Sequence, residues 1–237
     1  MSARGLTLAM ALVAAPGIGT QTCSGADSGL AVFSAHYEAD WKTINIGTSD
    51  LELKQDGEAG HFIYTWTITA RGVFRLYRAQ VTQKSWLSIE AGHARPEKYH
   101  AEDGSSTVSL DFDWSGGRAR GTSENKPVDL ELKPGTQDVM SIQVEVMLGL
   151  ENGNLAKTFR ILDNDEVKEF IYTEEGSAKI RTALGELDTV IVSSRRTGNN
   201  RTLRMWFAPS LGFIPVQAER TRDGKLEFAM LIKSVKN

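Results

Sequence analysis

The stretch that decides the fold is Thr107–Trp114, which reads TVSLDFDW. Its apolar members stand at every second position: Val108, Leu110, Phe112 and Trp114. Successive side chains of a β-strand point to opposite faces, so this alternation places one face on a core and the other in water. The stretch therefore predicts one strand of an antiparallel sheet.

The same period of two continues along most of the chain after residue 30. In His61–Thr69, apolar side chains occupy the even positions and threonines occupy most of the odd ones. β-Branched and aromatic residues suit a pleated surface, and they fill these segments. Further segments of this kind are Ala31–Tyr37, Phe170–Tyr172, Thr189–Val192, Leu203–Phe207 and Leu226–Ile232.

Dipeptides typical of tight turns separate the segments. They are Asp56-Gly57, Asp103-Gly104, Asn152-Gly153, Glu175-Gly176 and Asp223-Gly224. Many strands joined by short turns predict a sandwich, a barrel or a strongly curved antiparallel sheet. Because neither a repeat nor a low-complexity linker interrupts the pattern, residues 27–237 are predicted to form a single β-rich domain.

One segment, Val139–Leu150, permits two interpretations. Apolar residues at alternate positions from Met140 to Leu150 favour a strand. However, Asp138 is a suitable helix cap, Asn152-Gly153 resembles a helix stop, and an acceptable helical stripe is also present. Periodicity alone mildly favours the strand.

The first 26 residues have the layout of a secretory signal peptide. Arg4 is their only charged residue, the apolar stretch Leu6–Val13 follows, and Ser24 and Ala26 satisfy the small-x-small rule for a cut before Asp27. The apolar stretch is too short to span a bilayer comfortably. We therefore expect export to the periplasm, with no transmembrane segment in the mature chain.

Cys23 is the only cysteine of the chain. The residues before it, Thr20, Gln21 and Thr22, fit a lipoprotein signal poorly, so acylation of Cys23 is not expected. A cut after Ala26 leaves a chain without disulfides or a thiol nucleophile.

Composition narrows the function classes. The 237 residues are 41% hydrophobic and carry a net charge of -3. This hydrophobic fraction supports a folded core, and the acidic balance argues against a nucleic-acid partner.

The candidate chemical groups form no recognisable catalytic pattern. His93, His100 and Glu102 are spaced unlike known metal ligands, and a polar strand ending at a turn explains them better. Asp111 and Asp113 share one strand face, but a solvated face accounts for them equally well. We therefore predict a protein that is not an enzyme and needs no cofactor or metal.

Two groups of residues suggest binding instead. Trp66, Trp114 and Trp206 lie in or beside predicted strands. Most such residues pack in cores, but on the concave face of a curved sheet they are candidate ligand-binding residues. Arg195-Arg196 and Arg201/Arg204 flank a Gly-Asn turn; a solvated hairpin tip is the simpler interpretation, and contact with anionic lipid headgroups is the alternative.

The order of several short motifs resembles the bacterial family called domain of unknown function 3108. These motifs are Tyr37–Lys42 leading into Asn45–Gly47, Pro96 with Tyr99, Phe112-Asp113, Asp138–Ser141, Leu184–Val190, Trp206–Ala208 and Pro215-Val216. The resemblance implies an exported, mainly antiparallel β protein. The architecture that it implies is broadly similar to that of periplasmic lipoprotein carriers, which wrap an unclosed barrel around a helical plug. The resemblance therefore favours helix for Val139–Leu150. It supplies no functional residues.

Three function classes follow. The first is a periplasmic protein that binds a lipid or acyl ligand within the curved sheet. The second is an envelope-maintenance protein that contacts a periplasmic or outer-membrane protein; an apolar patch at Phe74, Leu76 and Tyr77 would serve it, although the core is the expected place for Phe74 and Leu76. The third, a hydrolase using Asp111, Asp113 or Glu102, is the least supported.

Overall fold

A computed structural model describes residues 30–76 and 79–237 of the chain. The predicted signal peptide, residues 1–26 with Cys23, lies outside the described residues and stays a prediction.

Within the described residues, fifteen strands form one sheet. The first eight are β1 (Phe33–Trp41), β2 (Ile44–Gln55), β3 (His61–Ala70), β4 (Gln80–Glu90), β5 (His93–Glu102), β6 (Thr107–Asp113), β7 (Arg118–Ser123) and β8 (Lys126–Glu131). The others are β9 (Gln137–Asp138), β10 (Thr158–Asp163), β11 (Glu166–Thr182), β12 (Gly185–Arg196), β13 (Arg201–Ala208), β14 (Ile214–Arg222) and β15 (Lys225–Lys236). The only helix of the α type among these residues is α1 (Ser141–Glu151).

The sheet consists of two meanders joined through the first and last strands. Its order is β8-β7-β6-β5-β4-β3-β2-β1-β15-β14-β13-β12-β11-β10-β9, antiparallel throughout except for the short β9–β10 pair. β1 pairs with β15, and Ser34 stands opposite Lys236. All other antiparallel neighbours are consecutive in sequence, which is why local turn signals predict so much of this topology.

Curvature brings the β9 end of the sheet back against β5. Gln137 Nε2 in β9 donates a 2.7 Å hydrogen bond to the carbonyl of Ala94 in β5. Glu145 of α1 accepts a 2.7 Å bond from the Ala94 amide and lies 2.8 Å from His93 Nδ1. The sheet is therefore an unclosed barrel, and α1 lies within it, as the family resemblance predicts.

The helix resolves the ambiguity of Val139–Leu150. Its buried residues cover nearly all of its circumference: Ser141, Ile142, Val144, Glu145, Val146, Met147, Leu148 and Leu150. A helix surrounded by protein needs apolar residues on all sides, so it shows no clear stripe, and its sequence mimics the alternation of a strand.

Two sequence predictions are wrong. Glu175-Gly176 is not a turn, because both residues lie within β11, where the pairing with β12 shifts between Glu174 and Gly176. Leu76 is not in the core: it ends a 3-10 helix, Gly72–Leu76, and is 87% exposed. Phe74 is half-buried, and Tyr77 lies outside the described residues.

Candidate ligand cavity

A cavity of about 470 Å³ lies between α1 and the inner face of the sheet. Its apolar wall includes Leu51, Trp66, Ile142, Met205, Phe228 and Met230. These residues come from four strands and the helix, so only the curved tertiary structure assembles them. The volume falls within the range of roughly 300–1,000 Å³ that is usual for small-molecule sites.

Strand register explains how Trp66 reaches this wall. Trp66 stands opposite Leu51 in the β2–β3 pair. Its ring meets the ring of Phe228 edge to face, with 6.3 Å between centroids. The indole Nε1 donates a 2.6 Å hydrogen bond to Ser49 Oγ, so the polar atom is paired and the ring is free to offer apolar surface.

Two buried tyrosines at the cavity have hydroxyl groups beside polar side chains. Tyr64 OH donates a 3.2 Å hydrogen bond to Gln143 Oε1, which joins β3 to α1. Tyr172 lines the cavity beside Ser194, and burial raises the pKa of Tyr172 well above its usual value. The phenol therefore stays neutral well beyond the physiological pH range.

One side of the cavity, which we call the cationic rim, carries Lys168, Arg195, Arg196, Arg201 and Arg220. Lys168 is fully paired, with Nζ 2.8 Å from Asp163 and 2.9 Å from Glu166. Burial acts to lower the pKa of Lys168, but the hydrogen bonds to these two carboxylates outweigh it and raise the pKa. The arginines of the rim have fewer carboxylate partners than Lys168 has, so more of their positive charge stays uncompensated.

The three tryptophans of the sequence prediction do not converge. Trp66 lines the cavity, whereas Trp114 and Trp206 do not. Trp114 Nε1 donates a 2.7 Å bond to the Pro96 carbonyl, and its ring stacks on Phe112. Trp206 is only 8% exposed and packs in the core. A role in ligand binding stays a prediction, and the geometry favours it for Trp66.

Sequence reasoning placed the arginines in a solvated hairpin tip and missed their place at the cavity. Arg195, Arg196 and Arg201 do flank the β12–β13 turn, but all three also line the cavity. The clustering of basic residues was the available signal. It did not reveal that the inner face of the hairpin continues into an apolar pocket.

The histidines considered as metal ligands lie apart. His93 binds Glu145, and His100 Nε2 is 3.8 Å from Glu102. Across residues 30–76 and 79–237, there is no group of three or more His, Cys, Asp or Glu side chains able to hold a metal ion.

Of the carboxylates considered for acid–base chemistry, Glu102 and Asp111 are exposed and Asp113 is half-buried. Asp111 stands opposite Arg120 in the β6–β7 pair. Asp113 Oδ1 accepts hydrogen bonds from Ser115 Oγ and the Gly116 amide, and these bonds lower the pKa of Asp113. A general acid needs the opposite shift, so the environment of Asp113 does not favour this role.

A curved, unclosed sheet around one helix defines this chain as a β-barrel-like protein. A family model described as "Protein of unknown function (DUF3108)" matches residues 36–230. The chain therefore belongs to this family, and the resemblance inferred from its motifs is confirmed.

Solved structures support the fold assignment. The chain is similar to a β-barrel-like protein of domain of unknown function DUF1849 from Brucella abortus, with a TM-score of 0.59 and 11% identity over 87% of this chain and 98% of that one. At this identity the likeness shows the fold alone.

Two further structures are more distant. One is a protein from Bacteroides fragilis described as exported, with a YmcC-like fold (TM-score 0.36, 6% identity, covering 86% of this chain and 95% of that one). The other is described as a lipoprotein of Parabacteroides distasonis (TM-score 0.38, 6% identity, covering 88% and 96%). Likeness at these scores carries no argument. A comparison with curated proteins gives no match. No helix among the described residues is long and apolar enough to cross a membrane.

Proposed function

We propose that this chain is an exported, periplasmic protein that binds an amphipathic, lipid-like ligand without chemical conversion. The observation that carries the proposal is the apolar cavity of about 470 Å³ between α1 and the sheet. A core that only needed to be stable would fill such a space, because protein interiors pack with few voids larger than a water molecule. Each methylene that an acyl chain buries there contributes about 0.8 kcal/mol.

The polarity of the cavity fits an amphiphile. Apolar side chains, among them Trp66, Met205 and Phe228, line its wall, and the cationic rim is confined to residues of β11–β14. An acyl chain fits the first region and a polar head group fits the second. Export is proposed from the predicted signal peptide.

The first test is native mass spectrometry of the protein purified from its own periplasm, with organic extraction of bound material. A reproducible adduct identified as a lipid is expected. A bare polypeptide mass, together with an extract free of lipid, would overturn the proposal.

A matched pair of variants ties binding to the cavity. Ala218 is buried and lines the cavity. Ala229, on the neighbouring strand, does not line it. Ala218→Phe should fill the space and weaken binding of the uncharged fluorescent probe N-phenyl-1-naphthylamine by about tenfold or more. Ala229→Phe should bind as the wild type does, provided that both variants keep the native circular dichroism spectrum.

A second function, contact with an envelope protein, is favoured by an exposed apolar patch. The patch comprises Trp41, Ile44, Val73 and Leu76, which are 40%, 58%, 67% and 87% exposed. Trp41 and Ile44 pair across the β1–β2 turn, and a 2.7 Å bond from the Arg71 amide to the Ile46 carbonyl holds the 3-10 segment beside β2. Several large apolar side chains exposed on neighbouring segments often mark a protein interaction site.

A further inference from the structure

Two arginines of the cationic rim, Arg201 and Arg220, share a single carboxylate with Arg222, which does not line the cavity. The Nε atoms of Arg201, Arg220 and Arg222 lie 3.2, 3.4 and 3.0 Å from the oxygens of Glu227. The Glu227 side chain is 15% exposed, so solvent screens this cluster only partly. One negative charge faces three positive charges, and the excess lies beside the cavity.

Two of these arginines, Arg201 and Arg220, line the cavity itself. Arg220 Nε is buried, and no acceptor meets it with hydrogen-bond geometry, although Glu227 lies 3.4 Å away. Burial lowers the pKa of Arg220, and the charge of Arg201 lowers it further against the opposing effect of Glu227. The Arg220 side chain as a whole is 42% exposed, but its Nε is a buried donor without an acceptor, and an approaching anion would satisfy it.

Arg195 is a third cation at this cavity, besides Arg201 and Arg220. It lines the cavity, is exposed, and forms no ion pair with any carboxylate of the described residues. Its neighbour Arg196 lies 3.5 Å from Glu166, which Lys168 also binds. The guanidinium of Arg195 is therefore not engaged by any carboxylate of the described residues.

We propose that the cavity selects amphiphiles with an anionic head group, a carboxylate or a phosphate, bound by Arg195, Arg201 and Arg220. The inference rests on the proposed function, because it assumes that the apolar wall holds the chain of the ligand. Guanidinium groups bind carboxylate and phosphate through paired, charge-assisted hydrogen bonds, which a neutral alcohol cannot replace.

The test compares ligands that differ only in the head group. N-phenyl-1-naphthylamine reports cavity occupancy, and oleate, oleyl phosphate and oleyl alcohol compete with it below their aggregation concentrations. At least one of the two anions should displace the probe at concentrations about ten- to hundredfold lower than the alcohol does. Added salt should narrow this difference. The ratio between oleate and oleyl phosphate identifies which of the two head groups the rim prefers.

Variants of the rim locate the effect. Arg195→Gln and Arg201→Gln should each reduce the advantage of the anion about fivefold or more, while displacement by oleyl alcohol stays unchanged. Arg204→Gln is the matched control, because Arg204 lies in β13 but pairs with Glu175 and does not line the cavity. Arg195→Gln breaks no ion pair of the described residues, so it keeps the test valid if Arg201→Gln unfolds.

The failures are distinguishable. If the probe binds and the alcohol displaces it as well as the anions do, the head-group inference fails and the proposed function stands. If neither the probe nor any oleyl compound binds, the proposed function fails and the inference fails with it. If inorganic phosphate competes for the rim as well as oleyl phosphate does, the site binds a free anion. The inference that the rim binds the head group of an amphiphile is then wrong.

Discussion

Ser85 Oγ in β4 donates a 2.6 Å hydrogen bond to Asp138 Oδ2, and this bond joins the sheet to the segment that leads into α1. The other carboxylate oxygen, Oδ1, accepts bonds of 2.7 and 2.8 Å from the amides of Met140 and Ser141. Asp138 is fully buried, yet both its oxygens are partnered. Met140, and not Asp138 as the sequence suggested, is the N-cap of α1, and Asp138 instead anchors the start of the helix through the amides of Met140 and Ser141.

Asp138 should make stability depend on pH. Burial raises the pKa of Asp138 to about 6, against hydrogen bonds from Ser85, Ser141 and Met140 that lower it. The folded state therefore binds this proton more tightly than the unfolded state does, where the pKa is near 3.8. The stabilisation is complete below pH 3.8 and is lost as the pH rises through about 6, with an upper bound of about 3 kcal/mol.

Urea unfolding at several pH values between 3 and 8 measures this contribution against Asp138→Asn. The variant keeps the acceptor for the helix amides but cannot titrate. The difference in unfolding free energy between the two proteins should change with pH and level off above about pH 7. Parallel pH profiles for the two proteins would contradict this assignment.

Gly47 should be irreplaceable. It lies in β2 with φ +151°, and a Cβ at this position would stand 2.0 Å from the carbonyl oxygen of Thr69 in β3. Gly47→Ala must push two paired strands apart, so we expect a loss of about 3 kcal/mol or failure to fold. Thermal unfolding followed by circular dichroism measures the loss.

Gly57→Ala is the control for this glycine. Gly57 also has a positive φ of +66°, but nothing lies within 4 Å of its added Cβ. Gly57→Ala should therefore lower the unfolding free energy only by the backbone strain, about 1–2 kcal/mol. Equal melting temperatures for the two variants would show that the close approach of β3 does not matter.

Trp66 should contribute to ligand affinity, and Trp114 should not. Both are half-buried, but only Trp66 lines the cavity. Trp66→Leu removes apolar surface from the wall and should weaken binding of N-phenyl-1-naphthylamine roughly tenfold. Trp114→Leu removes the bond to Pro96 at the sheet surface and should leave the affinity unchanged. Equal affinities in fluorescence titrations of both variants would count against this cavity as the binding site.

The exposed patch should matter for contacts and not for stability. Val73 and Leu76 are 67% and 87% exposed, so their joint replacement by serine should change the unfolding free energy by no more than about 0.5 kcal/mol. If the patch binds an envelope protein, a photo-crosslinker at position 73 or 76 should capture the same identified protein reproducibly in living cells. Leu184, which is 38% exposed in another part of the chain, is the matched control site. Equal capture from both sites would remove the support for this second function.

Strand content and topology were largely predictable because their causes are local. Alternation in Thr107–Trp114 reappears as β6, with Val108, Leu110 and Phe112 buried. Turns such as Asp103-Gly104 and Asp223-Gly224 join consecutive antiparallel strands. A hairpin depends on residues close in sequence, so the chain itself specifies both the strands and their pairing.

The helix was not decided by local pattern. Val139–Leu150 alternates like a strand, and only its place inside the barrel makes helix the better choice, because every side of α1 then finds apolar partners. The turn predicted at Glu175-Gly176 was wrong for a different reason. A glycine that usually marks a turn lies here within a long strand, where the pairing of β11 with β12 accommodates it as an irregularity.

The sequence by itself therefore determined the β class, the order of the hairpins and the family. Tertiary structure alone decided which apolar residues enclose a cavity, which arginines stand at its mouth, and that Leu76 lies in solvent. Period-two alternation indicates only that the two faces of a strand differ in polarity. What each face meets depends on curvature, which brings together residues as distant in sequence as Trp66 and Phe228.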